Sequence, residues 1–244
     1  MKLSVVIPVL NERASLPATI AALRACRGIA EIIVSDGGST DGTVPWLQAQ
    51  NDIVLVRSIR GKGPQINVGA AAAFDVAAPA EMSNIVLFFL HADCLISQPA
   101  VDALHAALAD PQLAGGAFYL RFAESRPRSL RFVAWGINLR ARLRGSATGD
   151  QGIFVRKSVF ESIGGAPEWP LFEDVELVRR IKRAGKFTVL RTPLTVSGRR
   201  YIEHGVFRTA LLIYFLRFAY WLGVPPHRLK NWFRDARTDQ QSRD

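Results

Sequence analysis

The feature that most constrains the fold is an uncharged apolar run at residues 86–90, which ends at His91 and Asp93. A short run rich in Val, Leu and Phe is typical of a strand buried on both faces in the middle of a parallel sheet. Ligands bind at the carboxyl ends of such strands, so His91 and Asp93 are candidate site residues. Asp93 could hold a divalent metal through its oxygens, or it could cap a following helix.

Strand and helix patterns alternate along the chain. This alternation predicts an α/β fold with a mostly parallel sheet and right-handed crossovers. The 244 residues suffice for one large domain or two small ones. Strands are predicted at residues 3–9, 30–34, 53–56, 84–90, 115–122 and 153–155, and helices at 14–25, 43–48, 64–77, 100–109, 126–144 and 173–184.

The net charge of +10 favours anionic partners, such as nucleotide phosphates or an anionic lipid surface. Nucleic acid is not predicted as a partner, because no recognition motif accompanies the charge. The stretch 121–144 holds seven arginines and one acid, and it is either a solvated face or a basic wall for an anionic acceptor or membrane. Two cysteines give no disulfide framework, and no cleavage site follows the first strand, so the sequence predicts a cytoplasmic protein.

Polar residues follow four of the predicted strands, and the carboxyl ends of parallel strands meet at one edge of a sheet. A nucleotide is therefore expected there, beside the Gly-rich loop at residues 36–42. Asp36 is expected to accept hydrogen bonds from a base or ribose, although the loop could also be a simple turn. The candidate donor-binding residues are Pro8, Val9, Asn11, Glu12, Asp36, Gly37, Arg60, Lys62, His91 and Ala92.

Two motifs at this spacing resemble family 2 glycosyltransferases, an inverting family with the GT-A fold. They are Val-Ile-Pro-Val-Leu-Asn-Glu at residues 6–12 and Ser-Asp-Gly-Gly-Ser-Thr-Asp-Gly at residues 35–42. The resemblance implies that residues 8–12 and Asp36 hold the nucleotide of a sugar donor. It also implies a mixed, mostly parallel Rossmann-like sheet flanked by helices.

The resemblance further places Asp93 at the last acid of the family's Asp-X-Asp metal motif, with Mg²⁺ or Mn²⁺ as the expected metal. His91 replaces the first acid, and imidazole could ligate a transition metal or hydrogen-bond a ribose or phosphate. Asp93 is therefore expected to be the main protein ligand. The segment 60–69 is similar to the family's donor-site lining, where Lys62 could face the diphosphate or solvent.

Three acids, Glu173, Asp174 and Glu176, lie in the first turn of a predicted helix, where they would suit the helix dipole. They also include a candidate general base. Residues 173–177 resemble the family's Glu-Asp-X-Asp-Leu motif, which implies that Asp174 is the catalytic base with Glu173 beside it. Gly149, Asp150 and Gln151 resemble the acceptor-side segment of the arsenosugar-biosynthesis-type subfamily, and residues 197–201 are similar to that subfamily too.

These resemblances imply metal-assisted hexosyl transfer, with inversion, from a nucleoside diphosphate sugar to an unidentified hydroxyl acceptor. The alternatives are a sugar nucleotidyltransferase and a non-catalytic nucleotide-sugar-binding protein. The former would use a Lys- or Arg-bearing phosphate loop after the first strand, which Asn11 and Glu12 do not supply. The latter would need no base, and the pair Glu173 and Asp174 argues against it.

A glycosyltransferase domain is expected at residues 1–198, followed by a basic helical extension at 199–244. Its predicted helix, 205–223, contains Arg208 and Arg217, so it lacks the roughly 20 apolar residues of a membrane span. It is predicted to pack on the domain or on a second subunit of a homodimer. The alternative is a peripheral foot on the inner membrane face, since aromatic residues and a basic tail favour that surface.

Overall fold

The computed structural model describes residues 1–74, 84–124 and 127–232, and this part of the chain contains one eight-stranded sheet. Its strands are β1 (Lys2–Val9), β2 (Glu31–Asp36), β3 (Ile53–Arg57), β4 (Ile85–Phe89), β5 (Cys94–Leu95), β6 (Leu113–Phe122), β7 (Ile153–Arg156) and β8 (Lys186–Val196). Its helices are α1 (Leu16–Arg24), α2 (Thr43–Gln48), α3 (Lys62–Ala72), α4 (Gln98–Ala107), α5 (Ser129–Arg144), α6 (Lys157–Ser162), α7 (Glu173–Ala184), α8 (Arg199–Glu203) and α9 (Val206–Trp221).

The strand order is β3-β2-β1-β4-β7-β6-β8-β5. The pairs β1–β2, β1–β4, β2–β3 and β6–β8 are parallel, whereas β7 and β5 run against their neighbours. The predicted mixed, mostly parallel α/β sheet is therefore confirmed. Residues 1–95 supply the four strands of one half of the sheet, β3-β2-β1-β4. They also supply the two-residue strand β5, which lies at the opposite edge.

Alternation along β1 builds a core on each face of the sheet. Leu3, Val5 and Ile7 pack with α1 on one face, while Val6 packs with α3 on the other. Every residue of β4 is buried, as predicted for the central strand. Its Phe88 ring lies 5.5 Å from that of Phe118, so the apolar run joins the two halves of the sheet.

The strand β8 was not predicted, and its sequence explains why. Leu190 pairs with Phe118, but the next partner of β6 is Pro193, opposite Tyr119, so Arg191 and Thr192 form a bulge. Proline is tolerated in a strand at such a bulge, where its missing N–H breaks no ladder bond. The bulge interrupts the alternation by which a strand is recognised.

Several predicted boundaries shift. Helix α3 begins at Lys62, before the predicted residue 64, while residues 75–77 lie outside the described residues. The basic helix begins at Ser129 instead of residue 126, which also lies outside them. Asp93 does not cap a helix, because β5 follows it directly and α4 begins only at Gln98.

The end of the described chain folds back on the sheet domain. Leu216 and Ala219 of α9 form a small apolar cluster with Phe172 and Leu229. Leu229 belongs to a further helical stretch at residues 226–232. The division after residue 198 remains a prediction. Among the described residues, no helix is both long enough and apolar enough to cross a membrane.

Candidate active site

The carboxyl ends of β1 and β4 open into one cleft, which we call the central cleft. It brings together residues from five separate stretches of sequence, including six of the predicted site residues. The cleft is lined by Pro8, Lys62, Ile66, Phe89, Leu90, His91, Gly149, Ile153, Glu173, Asp174 and Leu177.

The Gly-rich loop after β2 is held against the end of β1 by Asn11. Its side-chain oxygen accepts a hydrogen bond from the Thr40 N–H at 2.8 Å, and its own N–H donates to Ser39 Oγ at 2.9 Å. Asn11 has a positive φ of 57°, a conformation that asparagine tolerates better than most residues. The backbone N–H of Glu12 donates to Thr43 Oγ1, which fixes the next residue as well.

Asp36 shapes the same loop. Its carboxylate is almost fully buried and accepts hydrogen bonds from the N–H groups of Gly38 and Ser39 at 2.9–3.2 Å. The N–H of Gly37 donates to the carbonyl of Val9. The turn interpretation of this loop is therefore correct, and a contact between Asp36 and a donor base remains a prediction.

A buried glutamine sets the spacing of the two strand ends. Gln65 Nε2 donates to the carbonyls of both Val9, at 2.6 Å, and Ser35, at 2.8 Å. Those carbonyls lie where β1 and β2 stop pairing, so the amide replaces ladder bonds that end there. Sequence patterns gave no sign of this role, because it depends on α3 crossing both strands.

Lys62 and His91 meet at the floor of the central cleft. Lys62 Nζ lies 3.2 Å from His91 Nε2, so the ammonium donates to the imidazole. Burial, reinforced by the positive charges of Lys62 and Arg200, holds the pKa of His91 well below its ordinary value. The imidazole is therefore neutral near pH 7, while Lys62 places a cation at the N-terminus of α3, where a helix favours anions.

His91, Asp93 and Cys94 form a cluster that could hold a metal ion, with their ligand atoms all within 4.8 Å of one another. Asp93 is exposed and offers carboxylate oxygens, the ligand type that Mg²⁺ and Mn²⁺ prefer. Burial and the charges of Asp93 and Asp150 raise the pKa of the Cys94 thiol well above its usual value, so it keeps its proton. Asp93 is thus the residue of this cluster that suits a hard divalent cation, and its role as the main protein ligand remains a prediction.

The opposite wall of the cleft carries the predicted base. The N–H of Gly149 donates to Asp174 Oδ2 at 2.7 Å, and the N–H of Val175 donates to Oδ1. A Cβ on Gly149 would lie only 2.6 Å from His91 Nε2, so the backbone passes against the imidazole. Gly149 thus joins His91 on one side of the cleft to Asp174 on the other.

Glu173 opens α7 beside Asp174 and is buried. Burial, together with the charge of Asp174, raises the pKa of Glu173 to about 7. The residue before it, Phe172, has a φ of 63°, which is strained for a bulky side chain. Phe172 is fixed by its packing against Tyr220 of α9, at 5.2 Å between ring centroids, so the extension helps to aim both acids.

The predicted acceptor-side residues lie in a one-turn 3₁₀ helix, Gly149–Gln151. Asp150 is hydrogen-bonded by the Thr148 hydroxyl, and burial raises its pKa above the usual value. Gln151 is fully buried and donates to the Phe118 carbonyl at 3.0 Å. Its side chain therefore supports the turn from inside, and any contact that it makes with an acceptor would be indirect.

Seven predicted donor residues do not line the cleft: Asn11, Glu12, Asp36 and Gly37, which belong to the loop and strand end described above, and Val9, Arg60 and Ala92. Val9 and Ala92 are buried, and the Ala92 carbonyl accepts a hydrogen bond from Thr19 Oγ1 at 2.6 Å. Arg60 is exposed on the loop before α3. Their proximity to a donor remains a prediction.

Two arginines near Asp174 were not predicted. Arg140 of α5 donates to Gln151 Oε1 at 3.3 Å, and Arg217 of α9 donates to Ser146 Oγ at 3.1 Å. Burial and the charge of Arg140 lower the pKa of Arg217 to about 10. In sequence both residues belong to stretches that look like solvated or membrane-facing charge, and only the packing of α5 with α9 brings them together.

The sheet order, the Gly-rich loop and the acid-lined cleft together define a GT-A-type fold. The chain belongs to the family described as Glycosyl transferase family 2, whose sequence profile matches residues 4–164. A comparison with curated proteins found no match.

Solved structures support the same fold. TarS from S. aureus, in complex with UDP-GlcNAc, has a TM-score of 0.60 at 16% identity over 81% of this chain and 58% of its own. The mannosyltransferase PcManGT from Pyrobaculum calidifontis, in complex with GDP-Man and Mn²⁺, has a TM-score of 0.59 at 21% identity over 94% of this chain and 67% of its own. Glucosyl-3-phosphoglycerate synthase from Mycobacterium tuberculosis, in complex with Mn²⁺, UDP and phosphoglyceric acid, has a TM-score of 0.60 at 19% identity. The match covers 92% of this chain and 79% of the synthase.

In another crystal structure of S. aureus TarS the chain is much longer, and this protein spans 39% of it. At these identities the likeness concerns the fold alone.

Proposed function

We propose that this protein is an inverting, metal-assisted glycosyltransferase that uses a nucleoside diphosphate sugar and a hydroxyl acceptor. The observation that carries the proposal is the Asp174 carboxylate, which the Gly149 N–H holds in the cleft opposite Lys62 and His91. A base thus faces the edge where the diphosphate of a donor is expected. Family membership and the nucleotide-bound relatives agree with this assignment.

In the proposed mechanism, Asp174 removes the proton of the acceptor hydroxyl as its oxygen attacks the anomeric carbon. The new glycosidic bond forms on the face opposite the diphosphate, and the bond between the anomeric carbon and the phosphate oxygen breaks. Its electron pair leaves with the nucleoside diphosphate, so a single displacement inverts the anomeric centre. Lys62 and the N-terminus of α3 attract the anionic leaving group.

Asp93, with support from His91, would hold the divalent metal, which when bound neutralises charge on the diphosphate. The neutral imidazole of His91 already accepts a hydrogen bond from Lys62. We therefore assign His91 mainly to positioning Lys62, and Asp93 to the metal. The relatives in complex with Mn²⁺ support the choice of Mg²⁺ or Mn²⁺.

The test is release of nucleoside diphosphate from a panel of sugar nucleotides with Mn²⁺ and simple hydroxyl acceptors. Asp174→Asn is expected to lower turnover by about 10²–10⁴-fold, the usual contribution of a general base, while donor affinity stays within about twofold. Asp52→Asn is the matched control, because Asp52 is an exposed partner of Arg24 far from the cleft in the fold. Full activity in Asp174→Asn would show that Asp174 is not the base.

The same panel separates the alternatives. A nucleotidyltransferase would release no nucleoside diphosphate from the panel, but with a sugar 1-phosphate and a nucleoside triphosphate it would form the sugar nucleotide and release pyrophosphate. A binding protein would take up the donor without releasing nucleoside diphosphate, and Asp174→Asn would then change nothing.

A further inference from the structure

Apart from Arg208 and Arg217, helix α9 is almost entirely apolar, yet only one side of it is buried. Leu216 and Ala219 face the domain, while large apolar side chains cover the opposite side. At about 100° per residue, the exposed ones fall within one stripe about 120° wide. The stripe consists of Phe207, Leu211, Tyr214, Phe215, Phe218, Trp221 and Leu222, with Trp221 77% exposed.

The stripe continues onto two neighbouring helices. A Cβ on Gly136 of α5 would lie 3.6 Å from the Tyr214 hydroxyl, and the next residue toward the N-terminus is the exposed Trp135, which stacks on Phe132. On another side, Phe215 stacks on Trp232 at 6.2 Å between ring centroids. We call the stripe together with Phe132, Trp135 and Trp232 the aromatic face.

The charges around the aromatic face have one sign. Residues 127–144 and 199–232 contain eleven arginines and lysines and a single acid, Glu203, which pairs with Arg199. Arg208 borders the stripe, and Arg128 and Arg131 are exposed on α5. An exposed apolar face that extends over three helices of a folded protein marks an interaction site.

We propose that the aromatic face binds an anionic lipid surface, with its Trp, Tyr and Phe rings inserted at the headgroup level. Rings of this kind favour the membrane–water interface, and the surrounding cations favour anionic lipids. A second copy of the chain fits less well, because two such faces would bring like-charged rims together. This inference is independent of the proposed catalytic function.

The experiment is flotation of the full chain with neutral and with anionic phospholipid vesicles, at low and at high salt. The protein is expected to float with anionic vesicles and to be partly released by salt. The variant Leu211→Ser, Phe218→Ser, Trp221→Ser should lower partitioning by at least about tenfold. Ile59→Ser, which changes a similarly exposed side chain outside the face, should leave it unchanged.

A second measurement does not depend on how the triple variant folds. Vesicles with brominated lipid tails should quench the tryptophan fluorescence of the native protein, and Trp221→Phe should remove much of that quenching. Trp46→Phe, in the distant helix α2, is the control and should remove none. Equal flotation of the native and triple-variant proteins without quenching would overturn the proposal. So would a dimer, measured by analytical ultracentrifugation, that binds no vesicles and dissociates in the triple variant.

A separate observation concerns Arg140 and Arg217, which hold the segment 146–151 from two helices. Arg140 Nε and Arg217 Nη1 are buried without a hydrogen-bond partner. Within the described ranges, neither guanidinium forms an ion pair with an acid closer than 4.0 Å. Both side chains are half-buried, and each keeps a donor without a protein partner, the kind of group that an anion satisfies.

We infer that Arg140 and Arg217 bind an anionic group of the acceptor, a phosphate ester or a carboxylate, beside Asp174. This inference rests on the proposed function. Arg140 contacts the 3₁₀ turn that also supplies the Gly149 N–H to Asp174, and Arg217 contacts Ser146 shortly before that turn, so the anion would lie close to the base. The negative charges of Asp174 and Asp150 partly offset the lowering of the Arg217 pKa, which agrees with a position near both acids.

Calorimetry tests the subsite in two steps. UDP or GDP with Mn²⁺ is titrated first, and absence of binding would count against the proposed function alone. Glycerol 3-phosphate and glycerol are then titrated into the nucleotide complex, and only the phosphate ester is expected to bind. Short-chain phosphatidic acid forms a further arm, which distinguishes a lipid phosphate from a soluble one.

Arg217→Gln and Arg140→Gln should each weaken phosphate-ester binding by at least about tenfold, while nucleotide affinity stays within about twofold. Arg208→Gln, an exposed arginine on the same helix, should weaken neither. Unchanged phosphate-ester affinity in both site variants, or no binding of either phosphate to the nucleotide complex, would overturn the subsite.

Discussion

At the scale of single residues, Gly149 joins the two sides of the cleft. Its N–H holds Asp174, and its Cα lies so close to His91 that a Cβ would be 2.6 Å from Nε2. Gly149→Ala should lower the free energy of unfolding by about 1–3 kcal/mol through overpacking. Because the clash moves both His91 and Asp174, kcat/KM should fall by at least about tenfold. Thermal melting and nucleotide release measure the two effects.

Gly136→Ala is the matched control, since Gly136 lies inside α5 with its nearest neighbour 3.6 Å from an added Cβ. That change should stabilise the protein by up to about 1 kcal/mol and leave kcat/KM unaltered. If Gly149→Ala lowers neither the free energy of unfolding nor kcat/KM, the close approach of Gly149 to His91 contributes to neither stability nor activity.

A second residue-scale prediction concerns the metal. Asp93→Ala should abolish metal-dependent donor binding, whereas His91→Ala should weaken it less. A carboxylate is the better ligand for Mg²⁺ or Mn²⁺, and His91 is already engaged by Lys62. Calorimetric titration of the donor with and without metal measures both variants. Unchanged metal dependence in Asp93→Ala would remove Asp93 from the metal site.

Sequence reasoning at this scale found residues that a family motif or a strand end marks. Lys62, His91, Gly149 and Asp174 were predicted as site residues, and all four line one cleft. Residues whose role depends on contacts with distant parts of the chain were not predicted. Gln65 is polar inside an apolar helical pattern, and its partners lie 30 and 56 positions away.

At the scale of elements, the start of α7 places a carboxyl group where it resists ionisation. The pKa of Glu173 is about 7 in the folded protein, against an ordinary value of 4.5. Between those values the folded state holds a proton that the unfolded state has released, so stability falls as pH rises. The loss is at most about 1.4 kcal/mol per pH unit. Above the folded pKa the penalty stays constant.

Glu173→Gln never ionises, so its melting temperature should gain on that of the native protein as pH rises from about 5 to about 8. Glu161→Gln, the same change at an exposed position, provides the baseline. A constant difference between Glu173→Gln and the native protein across this range would contradict the raised pKa.

The elements themselves were predictable where one periodicity persists. Strands β1 and β4 are near-continuous apolar runs because both of their faces are covered, and that pattern is visible in sequence. Strand β8 is half-buried and bulged at Arg191 and Thr192, and β5 has only two residues. Strands β8 and β5 form because they hydrogen-bond to strands from distant parts of the chain. The local sequence pattern contains no sign of these partners.

At the scale of the whole molecule, nucleotide binding should be visible as added stability. A ligand at about 100 times its dissociation constant adds about 2.7 kcal/mol to the free energy of unfolding. For a chain of this size, each kcal/mol raises the melting temperature by about 2–4 °C. UDP or GDP with Mn²⁺ should therefore raise it by about 5–10 °C, and the nucleotide without metal by less.

A scan of melting temperature with both nucleotides, with Mn²⁺ and with a chelator, measures this shift. For Asp93→Ala, the nucleotide should raise the melting temperature by the same amount with Mn²⁺ as without it. Absence of any shift with either nucleotide in the presence of Mn²⁺ would contradict a nucleotide site at the donor edge.

The sheet order also has a consequence for synthesis of the chain. Strand β4 pairs with β1 on one side, but its other neighbour, β7, ends 67 residues later, at Arg156. At about 5–20 residues per second, a ribosome needs about 3–13 s to make that interval. Until then the uncharged strand Ile85–Phe89 has an open edge, the kind of segment that pairs with other chains. Among β1 to β4, this strand, which leads into the cleft, is thus the one whose pairing is completed last on the ribosome.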